Sequence, residues 1–361
     1  MDQITRPATS RKPAPEVRVK RLNLALQGGG SHGAFTWGVI DRLLEDGRIE
    51  IGGLVGTSAG AMNATVTAYG LMKGGPAGAR AELERFWRSI SDAARQGPLQ
   101  PTPLDKMMSK GNMDFSPMWL FVDTLSKVMS PYEMNPMNLN PLKDVLTGLV
   151  DFAALRSNDK VKLFICATNV CNGRIHVFDN AHVTPDAVLA SACLPFMFQA
   201  VEVDGEFYWD GGYIGNPPLF PLIYHTDIED ILIIQINPVN IPAPPRSARE
   251  ILDRVNTLSF NSSLMRELRA VDFVTKLIDD GVIDPEKYQQ VYGHPIKRTY
   301  IHTIDAEEVV SGLGVSSKLN ADWDFLMYLF EIGRTKATEF LDRDFSSIGE
   351  KSSTDVATKF M

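Results

Sequence analysis

Short apolar runs alternate with segments of helical periodicity in the first part of the chain. Apolar stretches predict strands at residues 22–26 and 54–55, and amphipathic patterns predict helices at 33–45 and 59–69. Each predicted helix directly follows a predicted strand. This order of strand, helix, strand and helix predicts an α/β fold in which helices cover a mostly parallel sheet.

Further strands are predicted nearer the middle of the chain. The runs at 162–168 and 231–236 are continuously apolar, which is typical of strands buried on both faces of a sheet. Between them, Asp204-Gly205 links two alternating runs at 201–203 and 206–208. A two-residue Asp-Gly link between such runs predicts a β-hairpin.

Composition divides the chain into four regions. Residues 1–21 are basic and rich in proline, so they predict a flexible tail, and the Ser/Thr-rich residues 344–361 predict a second one. The predicted core covers residues 22–222. Residues 223–343 continue it with a mainly helical pattern, in which apolar residues recur at helical spacing: Ile251, Val255, Leu258, Leu264 and Leu268.

Charge and hydropathy exclude several classes of protein. The formal net charge of -8 argues against a partner that is a nucleic acid, whose phosphates require clustered Lys and Arg. No apolar run reaches the roughly 18 residues of a membrane-spanning helix, and the N-terminus lacks the apolar stretch of a signal peptide. A cytoplasmic protein of 361 residues is therefore expected.

The sharpest chemical motif has the form GxSxG. It lies between the second predicted strand and the second predicted helix and reads Gly56-Thr57-Ser58-Ala59-Gly60. Glycines on both sides of Ser58 allow a strained turn that exposes the hydroxyl at a helix N-terminus, where the amide dipoles favour negative charge. Ser58 is therefore a candidate nucleophile. A plain glycine-rich turn with a helix-capping serine is the alternative.

A glycine loop at residues 28–33 follows the first predicted strand and allows two interpretations. As GxGxxG it matches a dinucleotide fingerprint, with Glu50 as the ribose-binding acid of an oxidoreductase. As an oxyanion hole, its backbone amides would face the charge that forms on an ester oxygen. Since Glu50 precedes the second strand, and that strand ends in the serine turn, the oxyanion interpretation is favoured.

A base for Ser58 is predicted at Asp210, which directly follows the hairpin and precedes Gly211 and Gly212. An ordinary aspartate has a pKa of about 4 and is a weak base at neutral pH. Apolar neighbours would raise that pKa by desolvation, and the aromatic residues beside Asp210 are Tyr208, Trp209 and Tyr213. The alternative is a Ser-Asp-His triad, for which the downstream histidines are His225, His294 and His302.

Taken in order, the glycine loop, the GxSxG motif and Asp210-Gly211-Gly212 resemble the patatin-like phospholipase family, and a bacterial member in particular. The resemblance extends to the segment at 191–195 and is clearest over residues 22–222. It implies a three-layer α/β/α sandwich with a mostly parallel central sheet. It also implies a phospholipase A-type serine hydrolase that cleaves ester-linked fatty acids without a metal or organic cofactor.

The resemblance also assigns roles to residues. It implies that Ser58 is the nucleophile and Asp210 the proton acceptor, without a catalytic histidine. The oxyanion hole would be the backbone of Gly28, Gly29 and Gly30, chiefly the last two amides. Glycines that support the motifs are Gly33, Gly56, Gly60, Gly211 and Gly212. Transfer of the acyl group to an alcohol or lysolipid in place of water is an alternative outcome.

One position departs from the family's pattern. The glycine loop has His32 where members of the family often carry Arg or Lys. An oxyanion hole made of backbone amides tolerates this difference. With His32 at this position, however, the glycine loop has no residue that would supply a fixed positive charge to the site.

Residues 107–137 are unusually rich in methionine and aromatic residues for a connection. Flexible methionine surfaces adapt to irregular apolar partners, so this segment predicts a lid, an acyl-chain channel or a peripheral contact with a membrane. Packing in an ordinary core is the alternative. The residues concerned are Met107, Met108, Met113, Phe115, Met118, Trp119, Phe121, Met129, Met134 and Met137.

Overall fold

The structure is a computed structural model that describes residues 19–109, 111–293 and 296–361. Within these ranges, eight strands form one sheet. The strands are β1 (Lys20–Leu26), β2 (Ile49–Thr57), β3 (Lys162–Asn169), β4 (Ile175–Phe178), β5 (Val201–Val203), β6 (Glu206–Asp210), β7 (Asp230–Gln235) and β8 (Tyr300–Asp305).

The helices vary from one turn to more than thirty residues. They are α1 (Gly33–Asp46), α2 (Ala59–Arg95), α3 (Pro103–Met108), α4 (Pro117–Leu125), α5 (Pro131–Met134), α6 (Pro141–Leu149), α7 (Phe152–Arg156), α8 (Pro185–Ser191), α9 (Phe220–His225), α10 (Ala248–Asp279), α11 (Pro285–Tyr292), α12 (Glu307–Val310), α13 (Trp323–Arg343) and α14 (Val356–Phe360). Helix α2 extends well beyond the predicted residue 69, but its backbone is not helical at Gly74 and Gly75.

The central strands are parallel, as the alternation of strands and helices predicts. The order across the sheet is β5-β6-β3-β2-β1-β7-β8, and β4 also pairs with β3. Neighbouring strands in the series β3-β2-β1-β7-β8 pair in parallel. Strands β4, β5 and β6 pair in antiparallel fashion. Leu26 at the end of β1 pairs with Gly56 near the end of β2. The loops that follow these two strands therefore leave the sheet at the same edge.

Helices cover both faces of the sheet, because side chains of each strand point alternately to the two sides. Leu22, Leu24 and Leu26 of β1 belong to a core with residues of α1, α2, α6, α8 and α13. Ala25 points to the other face, into a core with residues of α9, α10 and α14. The fold is therefore an α/β/α sandwich with a mostly parallel central sheet, as the resemblance implied.

The hairpin is present as predicted. Strands β5 and β6 pair in antiparallel fashion around Asp204 and Gly205, which both have positive φ. This conformation is the one that a two-residue hairpin turn requires, and glycine adopts it without strain.

The prediction of a flexible C-terminal tail at 344–361 is wrong. Val356 and Phe360, one turn apart on α14, are buried in the core beneath α10. Two apolar anchors at helical spacing are enough to hold the segment, although Ser and Thr dominate its composition. At the other end of the chain, residues 1–18 of the predicted basic tail lie outside the described residues, whereas Lys20 and Arg21 belong to β1.

No helix in the described ranges is both long and apolar enough to cross a bilayer.

Candidate functional site

Ser58 occupies a strained turn between β2 and α2. Its backbone has φ 57° and ψ −123°, and positive φ is otherwise confined, among non-glycine residues of the described ranges, to Asn138 and Asp204. The amide of Ser58 donates to Ser191 Oγ at 2.9 Å, which fixes the turn from α8. Such strain is characteristic of a nucleophile elbow, in which the turn presents the hydroxyl at the helix N-terminus.

The glycines of the GxSxG motif are required by close packing. A Cβ atom at Gly60 would collide with the carbonyl oxygen of Leu26, and one at Gly56 would collide with that of Gly60. Gly33 of the preceding loop has a similar role, because its Cβ would lie 2.8 Å from Cβ of Ala59. The elbow and the glycine loop are therefore packed backbone against backbone.

The glycine loop lies directly beside Ser58. A Cβ atom at Gly28 would lie 2.6 Å from Cβ of Ser58, and Gly30 has φ 60°. Within the described residues, the amides of Gly29 and Gly30 have no hydrogen-bond acceptor. They are free to stabilise a negatively charged oxygen, as the oxyanion interpretation requires.

The amide of Gly28 is not available in the same way. It donates to Asn216 Oδ1 at 2.7 Å. The prediction that Gly28 belongs to the oxyanion hole is therefore wrong as far as its amide is concerned. Its small size remains essential for the approach of Ser58, because any side chain would occupy that space.

Asp210 is the last residue of β6 and is completely buried. Its backbone is held by hydrogen bonds with Cys193 and Thr168, both at 2.8 Å. Gly211 and Gly212 follow without side chains because a Cβ atom at either position would collide with Cys166 or with Phe260. The carboxyl group is thereby fixed at the edge of the sheet where Ser58 lies.

The two oxygens of the Asp210 carboxyl differ. Oδ1 accepts a hydrogen bond of 2.7 Å from the Gly212 amide. Oδ2 is buried and has no partner with good hydrogen-bond geometry among the described residues. The Ser58 hydroxyl still acts on the carboxyl as a hydrogen-bond donor and lowers its pKa, so this contact is looser than an ideal hydrogen bond. Catalytic hydrogen bonds are often loose until substrate binds.

Burial raises the pKa of Asp210 to about 6. Hydrogen bonds from the Gly212 amide and the Ser58 hydroxyl, together with the charge of Lys318, act in the opposite direction. Nearby Tyr213 is affected in turn, since burial and the charge of Asp210 raise its pKa to about 12. Desolvation thus turns an ordinary carboxyl group into a better base near neutral pH, as the sequence predicts.

Of the histidines proposed as alternative bases, the two that lie in the described residues do not join this pair. His225 is exposed at the end of α9, beside Lys162 at the start of β3 and so at the opposite edge of the sheet. His302 lies on β8, three strands from β2, and its ring contacts Asp230 and Ser353. His294 lies outside the described residues.

The dinucleotide interpretation also lacks its acid. Glu50 is near the start of β2, where it pairs with Arg21 at 3.6 Å. The ribose-binding acid of such a site has to lie at the carboxyl end of the strand, beside the glycine loop. Glu50 is at the other end.

Several residues that support the site were not predicted. Asn216 follows Asp210-Gly211-Gly212 closely in sequence, and Asn237 follows β7, the strand next to β1. Asn237 Nδ2 donates to the carbonyl oxygen of Gly28 at 2.7 Å. Its position after a predicted parallel strand was a usable signal, because ligands bind at that edge of α/β sheets.

His32 is buried and electrically neutral. Desolvation lowers its pKa to about 3, and the charge of Lys318 lowers it further. Its Nε2 atom bonds to Ser317 Oγ at 2.8 Å, whereas Nδ1 has no partner among the described residues. His32 therefore contributes packing to the glycine loop but no positive charge.

The methionine-rich segment at 107–137 contains buried residues, as packing in a core predicts, and exposed apolar residues, as a lid or a membrane contact predicts. Met113 and Trp119 are buried in the protein, as core packing predicts. Met107, Phe121 and Met137 are 76%, 59% and 77% exposed. The exposed apolar side chains of this segment are Met107, Met108, Phe115, Leu120, Phe121, Val128, Met129, Tyr132 and Met137.

A cavity of about 720 Å³ lies between this segment and the end of β6. Val128, Met129 and Phe196 line its outer part, and Trp209 and Tyr213 flank the position of Asp210. Ser58 and Asp210 do not line the cavity themselves. The cavity is therefore lined by two residues that are close to Asp210 in sequence.

A known protein family matches more than half of the chain. Residues 24–223, or 200 of 361 residues, match the family described as Patatin-like phospholipase. No curated protein sequence matches the chain.

Solved structures with a similar chain course include two bacterial proteins. VipD from Legionella pneumophila is 17% identical over 90% of this chain and 67% of its own, with a TM-score of 0.44. ExoU from the type III secretion system of Pseudomonas aeruginosa, solved in complex with SpcU, is 16% identical. That match covers 90% of this chain and 53% of ExoU, with a TM-score of 0.33, so the chain spans about half of ExoU.

Proposed function

Since the chain belongs to the patatin-like phospholipase family, a family of lipid hydrolases, we propose that it cleaves fatty acyl esters of phospholipids or related lipids through an acyl-enzyme on Ser58. One observation carries the catalytic part of this proposal. A serine on a strained elbow faces a fully buried carboxyl group whose Oδ2 atom is not satisfied by hydrogen bonds. An unpartnered buried oxygen is costly, so its presence calls for an explanation, and a catalytic role is one.

The proposed first half-reaction forms an ester between Ser58 and the acyl group. Asp210 Oδ2 accepts the hydroxyl proton while Ser58 Oγ attacks the carbonyl carbon of the substrate. The carbonyl oxygen becomes negatively charged, and the amides of Gly29 and Gly30 stabilise it. The tetrahedral intermediate then expels the alcohol portion of the lipid, which takes the proton from Asp210.

The second half-reaction releases the fatty acid. Asp210 removes a proton from water, and the resulting nucleophile attacks the acyl-enzyme carbonyl. The same amides stabilise the second tetrahedral intermediate. It collapses to a free fatty acid as the bond to Ser58 Oγ breaks, and Ser58 Oγ takes the proton from Asp210. An alcohol or lysolipid in the position of water would instead give acyl transfer.

The apolar cavity next to Asp210 is proposed to hold the acyl chain. Its lining is dominated by apolar groups, including Val128, Met129 and Phe196, and its volume of about 720 Å³ is in the usual range of small-molecule binding sites. A chain in this position would place its ester near Trp209, at the end of the strand that carries Asp210.

The exposed part of the 107–137 segment is proposed to contact the lipid surface from which substrate is drawn. Exposed apolar side chains are frequent in this segment, and Val128 and Met129 line the cavity together with the exposed Phe196. Exposed apolar surface of this kind is typical of an interaction site. The buried Trp119 belongs to the core and has no part in this contact.

The proposed activity is tested by comparing the protein with its Ser58→Ala form on a mixed lipid extract, with mass spectrometry of the products. We expect free fatty acid and lysolipid from the unmodified protein alone. Equal amounts of acylated alcohol in place of fatty acid would indicate transfer, and no serine-dependent change in any lipid would contradict the proposal.

The surface contact is tested by Phe121→Ser, with Val291→Ser as a matched control, because Val291 is 73% exposed on the distant α11. We expect Phe121→Ser to reduce turnover of phospholipid vesicles severalfold and to spare a short soluble ester. Equal loss on both substrates, or the same loss in Val291→Ser, would contradict a role at the lipid surface.

A further inference from the structure

Lys318 lies against the glycine loop, although the two are almost 290 residues apart in sequence. It belongs to a short 3-10 turn, Val315–Leu319, that packs on the turn Gly30–His32. A Cβ atom at Gly30 would collide with the carbonyl oxygen of Lys318. The backbone of this turn therefore forms one wall of the candidate oxyanion hole.

The side chain of Lys318 connects the two halves of the site. Its Nζ atom donates to Asn237 Oδ1 at 3.1 Å, and Asn237 in turn holds the carbonyl oxygen of Gly28. On the other side, Nζ lies 5.8 Å from the centre of the Phe260 ring, which packs against Gly212. The ammonium group thus lies between the glycine loop and the segment that carries Asp210.

The charge of this group acts on both sides. It lowers the pKa of Asp210 and that of His32. Burial lowers the pKa of Lys318 itself, whereas the charges of Asp253 on α10 and of Asp210 raise it. Opposite charges on two elements therefore favour the charged form of the ammonium group that desolvation disfavours.

The other titratable groups that face Asp210 supply no positive charge. Cys166 on β3, Cys193 beyond α8 and Tyr213 all have a raised pKa, mainly because they are buried, and they are neutral at pH 7. His32 is neutral as well. Among the described residues, Lys318 is the cation that acts on Asp210.

We propose that Lys318 is a positioning residue of this site, whose ammonium group fixes the glycine loop through Asn237 and supplies the positive charge between that loop and Asp210. The inference rests on the proposed acyl hydrolase function. Its consequence is that Lys318 keeps more of Asp210 in the ionised form that accepts the Ser58 proton. The same charge favours the oxyanion that forms beside the loop.

The test replaces Lys318 by Gln, which can still donate to Asn237 but carries no charge, and by Arg, which keeps the charge. Lys297→Gln is the matched control. Lys297 is also partly buried, and its Nζ donates to the carbonyl oxygens of Thr226 and Ile228, away from the site. Two quantities are measured: kcat/KM against pH on a short soluble ester, and the carboxyl pKa of Asp210 by ¹³C NMR in the Ser58→Ala background.

We expect Lys318→Gln to lower kcat/KM at pH 7 by roughly tenfold and to move the acidic limb of the profile to higher pH, because a nearby opposite charge is lost. The NMR titration should show the same upward shift of the Asp210 pKa. Lys318→Arg should restore both quantities, and Lys297→Gln should change neither. An unshifted Asp210 pKa in a folded Lys318→Gln protein, or equal losses in the Gln and Arg variants, would overturn the proposal.

A reciprocal measurement covers the case in which Lys318→Gln does not fold. Because coupling between two sites is reciprocal, Asp210→Asn should lower the pKa of Lys318, measured by NMR at Nζ. An unchanged Lys318 pKa would overturn the proposal. Neither titration depends on turnover. A protein that does not hydrolyse esters but shows coupled pKa values of Asp210 and Lys318 would therefore contradict the hydrolase function and support the coupling.

Discussion

Two regions of the molecule bring a serine and a buried aspartate together, and they differ in every other respect. At the edge of the sheet beyond β2, Ser58 lies on a strained turn beside Asp210. Beside β7 and β8, Ser353 bonds to His302 at 2.9 Å, and His302 bonds to Asp230 at 3.0 Å. By residue type alone, the second region is the more familiar catalytic set.

The hydrogen bonds distinguish the two regions. Asp230 Oδ1 also accepts from the Gly349 amide, and within the described residues this set leaves no buried side-chain atom without a partner. Ser353 has no positive φ. In the first region, Asp210 Oδ2 is unpartnered and Ser58 is strained. Satisfied polar groups fasten the C-terminal segment to the sheet, whereas the strained Ser58 and the unpartnered oxygen of Asp210 agree with the proposed catalytic role.

The largest expected effect separates the two serines. Ser58→Ala should reduce ester hydrolysis by roughly 10⁴-fold or more, because the nucleophile is removed. Ser353→Ala should leave kcat/KM unchanged and lower the free energy of unfolding by about 1 kcal/mol, the usual value of one hydrogen bond. Assays on a soluble ester and urea unfolding measure these quantities. A large loss of activity in Ser353→Ala would break the comparison.

The second effect separates the two aspartates. Asp210→Asn should reduce kcat/KM by roughly 10³-fold, because the amide cannot accept the Ser58 proton. Asp230→Asn should stay close to the activity of the unmodified protein, since its role is to fasten the C-terminal segment. Substantial residual activity in Asp210→Asn would point to another base.

The third effect contrasts a glycine from each region. Gly28→Ala should reduce kcat/KM by roughly 100-fold, because the new Cβ would lie 2.6 Å from Cβ of Ser58 and displace it. Gly349 has φ 77° and open space around it, so Gly349→Ala should cost stability by about 1 kcal/mol and spare activity. Normal activity in Gly28→Ala would contradict the close packing of the loop on the elbow.

The smallest effect concerns stability against pH. The pKa of Asp210 is raised from its ordinary 3.8 to about 6, so the folded state holds this proton more tightly than the unfolded state does. Ionisation of Asp210 therefore destabilises the fold progressively as the pH rises from about 4 to about 6, and fully above that range.

Asp210→Asn removes this penalty. At pH 8 its free energy of unfolding should exceed that of the unmodified protein by about 3 kcal/mol, and the gain should vanish towards pH 4. Asp230→Asn should give no such gain, because Asp230 has its partners. Urea unfolding at both pH values tests this, and an Asp210→Asn protein that is less stable at pH 8 would contradict it.

The sequence predicts those parts of the site that lie directly after predicted strands. Ser58 and the glycine loop follow parallel neighbours, so their meeting at one edge was expected from the order of elements. The place of Asp210 beside them was implied by the resemblance to the family, not by the order of elements. The flanking glycines were predictable for the same reason, because only glycine permits such close approach.

The rest of the site depends on contacts between distant parts of the chain. Asn216 accepts the hydrogen bond of the Gly28 amide, and Lys318 contacts the glycine loop from a turn that has no recognisable motif. No local pattern specifies such partners. Lys318 supplies the positive charge that His32 does not provide. Because Lys318 lies far from the motifs in sequence, a comparison of motif positions cannot detect it. Likewise, two apolar residues decide the packing of a C-terminal segment whose composition predicts disorder.

The central claim is that Ser58 is a nucleophile activated by Asp210. Its most direct test is the rate of labelling by a fluorophosphonate probe as a function of pH, with the modified residue identified by mass spectrometry. The label should be on Ser58, its rate should fall below about pH 6, and Asp210→Asn should lose it. Labelling of Ser353 instead, or an undiminished rate in Asp210→Asn, would contradict the claim.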